Sequence, residues 1–147
     1  MNEPQKTKSA TPPSASVSTS LEGKKILWVE DDDFLSGVIA QRLGKEKSIF
    51  INSVRGEEVM GLAEQEAPDI IMLDILLPGM DGIDILARLK ANEKTKHIPV
   101  IMFSNLDDKS KVEKSKSLGA VGFFLKASVD LDEVVNEIKK AISGHPA

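Results

Sequence analysis

The chain has no cysteine among its 147 residues, which removes disulfides, thiolate metal sites and a cysteine nucleophile together. It has no apolar run approaching the ~18 residues that a membrane span needs, and its N-terminus lacks the apolar core of a secretory signal. It also has no excess of positive charge. The formal net charge is −4 and the pI about 5.2, so bulk attraction to nucleic acid or to an anionic membrane is not expected. No period recurs along the sequence, which excludes a repeat array. These absences leave a cytoplasmic protein without nucleic-acid or membrane partners as the default expectation. With 41% hydrophobic and 29% charged residues, the composition is that of a globular protein able to bury a core, and the length suggests one domain.

Residues 1–22, rich in Ser, Thr, Pro and Ala with almost no large apolar side chain, cannot offset their ordering entropy by burial and are expected to form a disordered tail. From residue 23 onward, short apolar runs alternate with amphipathic segments. "KKILWVE" is a continuous apolar run, the pattern of a strand buried on both faces; "SIFINSV" suits a strand, "DIIMLDI" is the most strand-like run, and "IPVIMFSN" and "AVGFFLK" also read as strands. Between them, "DFLSGVIAQRLGKE" places Phe34, Leu35, Val38, Ile39 and Leu43 at helical spacing. "GEEVMGLAEQEAP" is a helix stopped before Pro68. "DGIDILARLKANE" carries Ile83, Leu86 and Leu89 on one side, "DDKSKVEKSKSLG" is a polar helix ending at Gly119, and "DLDEVVNEIKKAIS" closes the chain with Asp130 as N-cap. Strand–helix repeated five times predicts an α/β fold, a doubly wound, flavodoxin-like five-stranded parallel sheet flanked by five helices. In such sheets the working site lies at the carboxyl ends of the strands, where the strand order switches.

Those ends carry Glu30 and Asp31, then Asp74, Ser104 and Lys126. Taken singly, each has an ordinary explanation: acids solvated in a loop or capping a helix, a turn serine, a surface lysine. Asp74 is harder to dismiss, because a carboxylate at the tip of a central strand is partly desolvated and costly unless paired. The run Glu30, Asp31, Asp32, Asp33 raises the same problem. One pair of like charges at ~4 Å costs on the order of 4 kcal/mol at an effective dielectric near 20, so the acids either fan into water or face a cation.

From Lys24 to about Ser143 the chain resembles a receiver domain of two-component response regulators. The matching pieces are "ILWVEDD", "DIIMLDILLPGMDG", "IPVIMFSN" and "GFFLK", in order and at family-like intervals. The most specific is "MLDILLPGMDG", an acid with Pro78 four residues on and Gly82 eight residues on. The resemblance implies that Asp74 is the phosphoacceptor in a phosphorelay. It implies that Glu30 and Asp31 hold a divalent metal with Asp74 and the backbone carbonyl of Leu76, although Asp31 and Asp32 are an alternative pair. The metal would be Mg²⁺, with Mn²⁺ a second candidate. Ser104 would hydrogen-bond a phosphoryl oxygen, Lys126 would pair with its charge, and Phe123 would be an aromatic switch moving with Ser104. Asp32 and Asp33 then start the next helix, meeting the positive end of its dipole.

Three departures from the family pattern stand out. Ala127 follows Lys126 where the family has Pro with a cis bond, so either a trans bond or strain is expected, since cis before Ala costs roughly 2.5–4 kcal/mol. Asn105 replaces a small residue after Ser104. Leu76 and Leu106 flank the site where relatives are polar, which predicts slow self-dephosphorylation. His97 lies at the amino end of its strand, opposite the site, and His145 is terminal, so neither is expected to act. Trp28 is expected to pack in the core.

The implied function is a stand-alone receiver with no output domain, not an enzyme in the usual sense, that catalyses its own phosphorylation. A histidine kinase or histidine phosphotransfer protein would dock on helix one, through Phe34, Leu35 and Ile39. The output would leave through helix four, strand five and helix five, from a monomer or a phosphorylation-dependent dimer; helix four is too polar for an apolar seam. A degenerate receiver acting as a scaffold is the alternative. A haloacid-dehalogenase-type phosphatase would need a second Asp where Leu76 stands.

Overall fold

In a computed structural model, residues 20–105, 109–128 and 130–143 are described. The five apolar runs form β1 (Lys25–Val29), β2 (Ile49–Ser53), β3 (Ile70–Asp74), β4 (Val100–Ser104) and β5 (Gly122–Leu125). They make one parallel sheet in the order β2-β1-β3-β4-β5. The intervening helices are α1 (Asp33–Gly44), α2 (Val59–Glu66), α3 (Gly82–Ala91), α4 (Lys109–Ser117) and α5 (Leu131–Ser143).

Alternate residues of each strand feed two cores. Leu27, Val29, Ile71, Leu73, Val100 and Met102 face a cluster with Val59 and Ala63 of α2 and Leu86 and Leu89 of α3. Ile26, Trp28, Ile70, Met72, Ile101 and Phe103 face Ile39 and Leu43 of α1 and Val134, Val135 and Ile138 of α5. With both faces covered, all five residues of β3 are buried, Asp74 included. Each fully buried Leu or Ile contributes about 1.5–3 kcal/mol over its exposed state, which holds β3 and its terminal carboxylate in place.

Leu21, within the stretch expected to be a tail, is fully buried against the α1/α5 core; the packed unit therefore takes in this apolar side chain. The rest of that stretch up to residue 19, together with Leu106 and His145, lies outside the described residues. Trp28 is core, as expected. Among the described residues, no helix is long and apolar enough to cross a membrane.

Helix starts place further acids near the carboxyl edge of the sheet. Asp32 caps α1, its Oδ1 accepting from the Phe34 and Leu35 amides at 2.9 and 3.1 Å. Asp81 caps α3 by accepting from the Ile83 amide at 2.8 Å. Between β3 and α3 lies a short antiparallel hairpin, Leu76–Leu77 against Met80–Asp81. Its turn is Pro78-Gly79, with Gly79 at φ +76°, a conformation that favours glycine.

Candidate functional site

β3 has β1 on one side and β4 on the other, so the chain's change of direction across the sheet falls at the ends of β1 and β3. There Glu30 follows β1, Asp74 ends β3, and Lys126 follows β5. A cleft of 260 Å³ opens at this edge, lined by Glu30, Asp31, Asp32, Asp74, Leu76, Asn105 and Lys126.

Lys126 organises the cleft. Its Nζ lies 2.7 Å from Glu30 Oε1 and 2.7 Å from Asp74 Oδ2. Both carboxylates are buried, whereas Asp31 is exposed at the mouth. Backbone amides support the two acids: the Asp32 amide donates to Glu30 Oε2 and the Leu76 amide to Asp74 Oδ1, each at 3.0 Å. Beneath the ammonium lies the Phe103 ring, its centroid 5.3 Å from Nζ, and Phe103 in turn packs against Trp28 at 4.9 Å.

Two buried acids share one ammonium, and their ionisation reflects it. Burial pushes the carboxyl of Asp74 above the usual carboxylate range, only partly offset by the hydrogen bonds from Lys126 and the Leu76 amide. Burial raises Glu30 likewise, against the opposing hydrogen bonds from Lys126 and the Asp32 amide. For Lys126, burial favours the neutral amine, but its hydrogen bonds to Asp74 and Glu30 win and hold it above the ordinary lysine value.

Carboxylate oxygens of Glu30, Asp31 and Asp74 all come within 4.8 Å of one another. Three hard oxygen donors around a small cleft suit Mg²⁺ or Mn²⁺, which prefer carboxylates and water over softer ligands. The residues present therefore fit a divalent cation.

The response regulator receiver domain family matches residues 26–139. This chain belongs to that family. The receiver is 32% identical to sporulation initiation phosphotransferase F of Bacillus subtilis over 117 residues, covering 80% of this chain and 92% of that protein. It is 31% identical over 107 residues to response regulator PleD of Caulobacter vibrioides, covering 73% of this chain but only 24% of PleD. Among solved structures, the Mn²⁺-bound form of response regulator Rcp1 superposes with a TM-score of 0.68 at 28% identity, covering 82% of this chain and 92% of that one. Receivers are signalling phosphoacceptors that bind Mg²⁺ or Mn²⁺ in an acidic site and work with histidine kinases or phosphotransfer proteins.

Of the residues singled out in the sequence, the receiver brings Glu30, Asp31, Asp74, Leu76 and Lys126 together. Ser104 ends β4 and is buried, while the exposed Asn105 beside it lines the cleft. Phe123 is half-buried, in register with Met102 and packed on the α2/α3 core. The Lys126–Ala127 peptide is trans, since no cis bond occurs among the described residues, and Lys126 still reaches both acids. His97 is exposed before β4, away from the cleft. Two further residues shape the cleft. Phe103 lies within "IPVIMFSN" but is singled out only by its register opposite Asp74. Gly82, the last residue of "MLDILLPGMDG", packs directly against the backbone of Asp74 and Ile75.

Proposed function

We propose that this receiver takes a phosphoryl group from a phosphohistidine onto Asp74 and thereby alters a partner-binding surface formed by α4, β5 and α5. An Asp74 carboxylate oxygen attacks phosphorus, the phosphorus–nitrogen bond to the donor imidazole breaks, and the imidazole leaves with the electron pair. The observation that carries this reading is the paired contact of Lys126 with Glu30 and Asp74 beside Asp31 in one cleft. A divalent cation, as in Rcp1, would be held by Glu30, Asp31, Asp74 and the Leu76 carbonyl, and would offset the repulsion between an anionic nucleophile and an anionic donor. Lys126 then pairs with the charge on the transferred oxygens. Ser104 donates to one of them and couples the event to Phe123. Phe34, 81% exposed at the start of α1, is a docking point for the donor protein.

The test is incubation with acetyl phosphate and MgCl₂, read by phosphate-affinity electrophoresis and intact mass. One phosphoryl group per chain, lost with EDTA, supports the proposal. Rapid release of phosphate without a labelled chain marks a phosphatase, and no reaction at all marks a scaffold; either overturns it.

Saturating MgCl₂ is expected to raise the thermal unfolding midpoint, because a ligand bound only by the folded state at a hundredfold its Kd adds about 2.7 kcal/mol. Asp31→Asn should lose most of this gain. Metal binding needs the carboxylates deprotonated, and Glu30 and Asp74 take up protons above the ordinary carboxylate range. The Mg²⁺-induced shift should therefore begin to fade at a pH above that range, as calorimetry across pH would show. The metal-free chain behaves oppositely. Between the unfolded and the raised folded carboxyl values the folded state binds more protons, so these two groups contribute stability as pH falls through that window.

Leu76 is half-exposed over the cleft mouth, where its side chain keeps water from the acyl phosphate. Leu76→Asn is expected to shorten the lifetime of the phosphorylated chain several-fold, measured by decay of the shifted electrophoretic band after donor removal.

A further inference from the structure

Glu30 makes contacts that a metal-binding acid does not need. It is fully buried, whereas Asp31 beside it is exposed. Its amide donates to the Ser53 carbonyl at 3.0 Å, which ties the end of β1 to β2. Both of its side-chain oxygens are engaged by the protein: Oε2 accepts from the Asp32 amide at 3.0 Å, and Oε1 lies 2.7 Å from Lys126 Nζ. Among the described residues Lys126 forms ion pairs with Glu30 and Asp74 but not with Asp31. β1 and β5 stand three places apart in the sheet, about 14 Å at the usual spacing of neighbouring strands. Only long side chains reaching towards each other can meet across β3 and β4.

We infer that Glu30 is a positioning residue for Lys126: it keeps the ammonium in the cleft while Asp74 passes from carboxylate to acyl phosphate. This rests on the reading of Asp74 as phosphoacceptor, and it gives Glu30 a task besides facing the cation. A lysine ammonium carries several N–H donors. One meets Glu30 and one meets Asp74. When charge moves from the Asp74 carboxylate to the transferred oxygens, the second donor follows it while the first stays in place. Lys126 therefore shifts locally, without a search by its flexible four-carbon stem. Asp74 alone could not hold the lysine through the step, since acylation removes its charge. The geometry also asks for glutamate at this position. Aspartate keeps the charge but is shorter by a methylene, and glutamine has a single acceptor oxygen to offer the two donors.

The test is a pair of double-mutant cycles on the full chain, labelled with acetyl phosphate at MgCl₂ saturating for each variant and read by intact mass. Glu30→Asp and Asp31→Asn are each made in the wild type and in Lys126→Met. Glu30→Asp is expected to slow labelling at least about tenfold in the wild type but less than about twofold in Lys126→Met, where the residue it acts through is gone. Asp31→Asn, without a contact to Lys126, should cost the same factor in both backgrounds. A second readout needs neither metal nor phosphoryl group. In urea unfolding with EDTA, the losses from Glu30→Asp and Lys126→Met should be non-additive, while those from Asp31→Asn and Lys126→Met add. Equal slowing by Glu30→Asp in both backgrounds, labelling of Glu30→Asp at the wild-type rate, or additive unfolding losses for Glu30→Asp overturns the inference. Where Lys126→Met takes up no label, the unfolding cycle takes the place of the labelling cycle. If the wild type labels and these results fail, this inference alone falls; if the wild type takes up no label while unfolding still couples Glu30 to Lys126, the phosphoacceptor reading falls and takes this inference with it.

Discussion

Asp74→Asn is expected to abolish phosphoryl uptake from acetyl phosphate while leaving the fold at least as stable as before. The two halves of this result have separate causes. The amide is a far weaker nucleophile than the carboxylate, so no acyl phosphate forms and the shifted electrophoretic species disappears. Stability follows the charge balance in the cleft, where two buried acids share the ammonium of Lys126. Burial already raises Asp74 above the ordinary carboxylate range, so its ionised form weighs against folding near neutral pH. Asparagine keeps the shape and the acceptor for the Leu76 amide, and leaves Lys126 paired one-to-one with Glu30. Calorimetry in metal-free buffer should show an unfolding midpoint equal to or above that of the wild type. Persisting label in the variant would place the phosphoacceptor elsewhere, and a large loss of stability would contradict the charge account.

Gly82→Ala has the opposite character, a small change with a large structural effect. A Cβ at Gly82 would overlap the Asp74 carbonyl oxygen and lie 2.8 Å from the Ile75 Cα. Both are backbone atoms of the end of β3, so no side chain can rotate away. The Gly82 amide also donates to the Ile75 carbonyl at 2.7 Å, tying the first turn of α3 to the strand end. Overpacking of a core typically costs about 1–3 kcal/mol and more where backbone must move; a loss of about 3 kcal/mol or greater is expected in urea unfolding. The folded fraction should label poorly, since relief of the clash displaces Asp74 itself. Gly61→Ala, in α2 with open space around it, is the control and should gain about 0.5–1 kcal/mol from helix propensity.

Most of the fold is legible in the sequence because its three central strands, β1, β3 and β4, are buried on both faces. Each of these is an apolar run up to its last residue, and α1, α3 and α5 carry apolar residues at helical spacing. The same burial hides which face each strand residue takes, since no polar alternation marks it; the split between Leu27 and Trp28 emerges only from the packed sheet. The Leu76–Asp81 hairpin is too short for periodicity and shows only through Pro78-Gly79. The cleft was legible as a set of strand-end residues, because parallel strands bring their carboxyl ends to one edge. Its internal arrangement was not. That Lys126 bridges Glu30 and Asp74, that Phe103 lies under it, and that Asn105 rather than Ser104 faces the opening all depend on register and on the trans peptide after Lys126. Leu21 is not legible as core, because one apolar residue in a polar stretch carries no pattern.

The stack of Lys126 on Phe103 and Phe103 on Trp28 connects the cleft to an indole that can serve as an optical reporter. Trp28 is the sole indole in the chain, so its emission is unmixed with that of any other tryptophan. Under the proposed function, Lys126 turning towards an incoming phosphoryl group would alter the electric field across that stack. A change in emission intensity on acylation, missing when residue 126 is methionine, would let occupancy be followed in real time with no dye or tag attached.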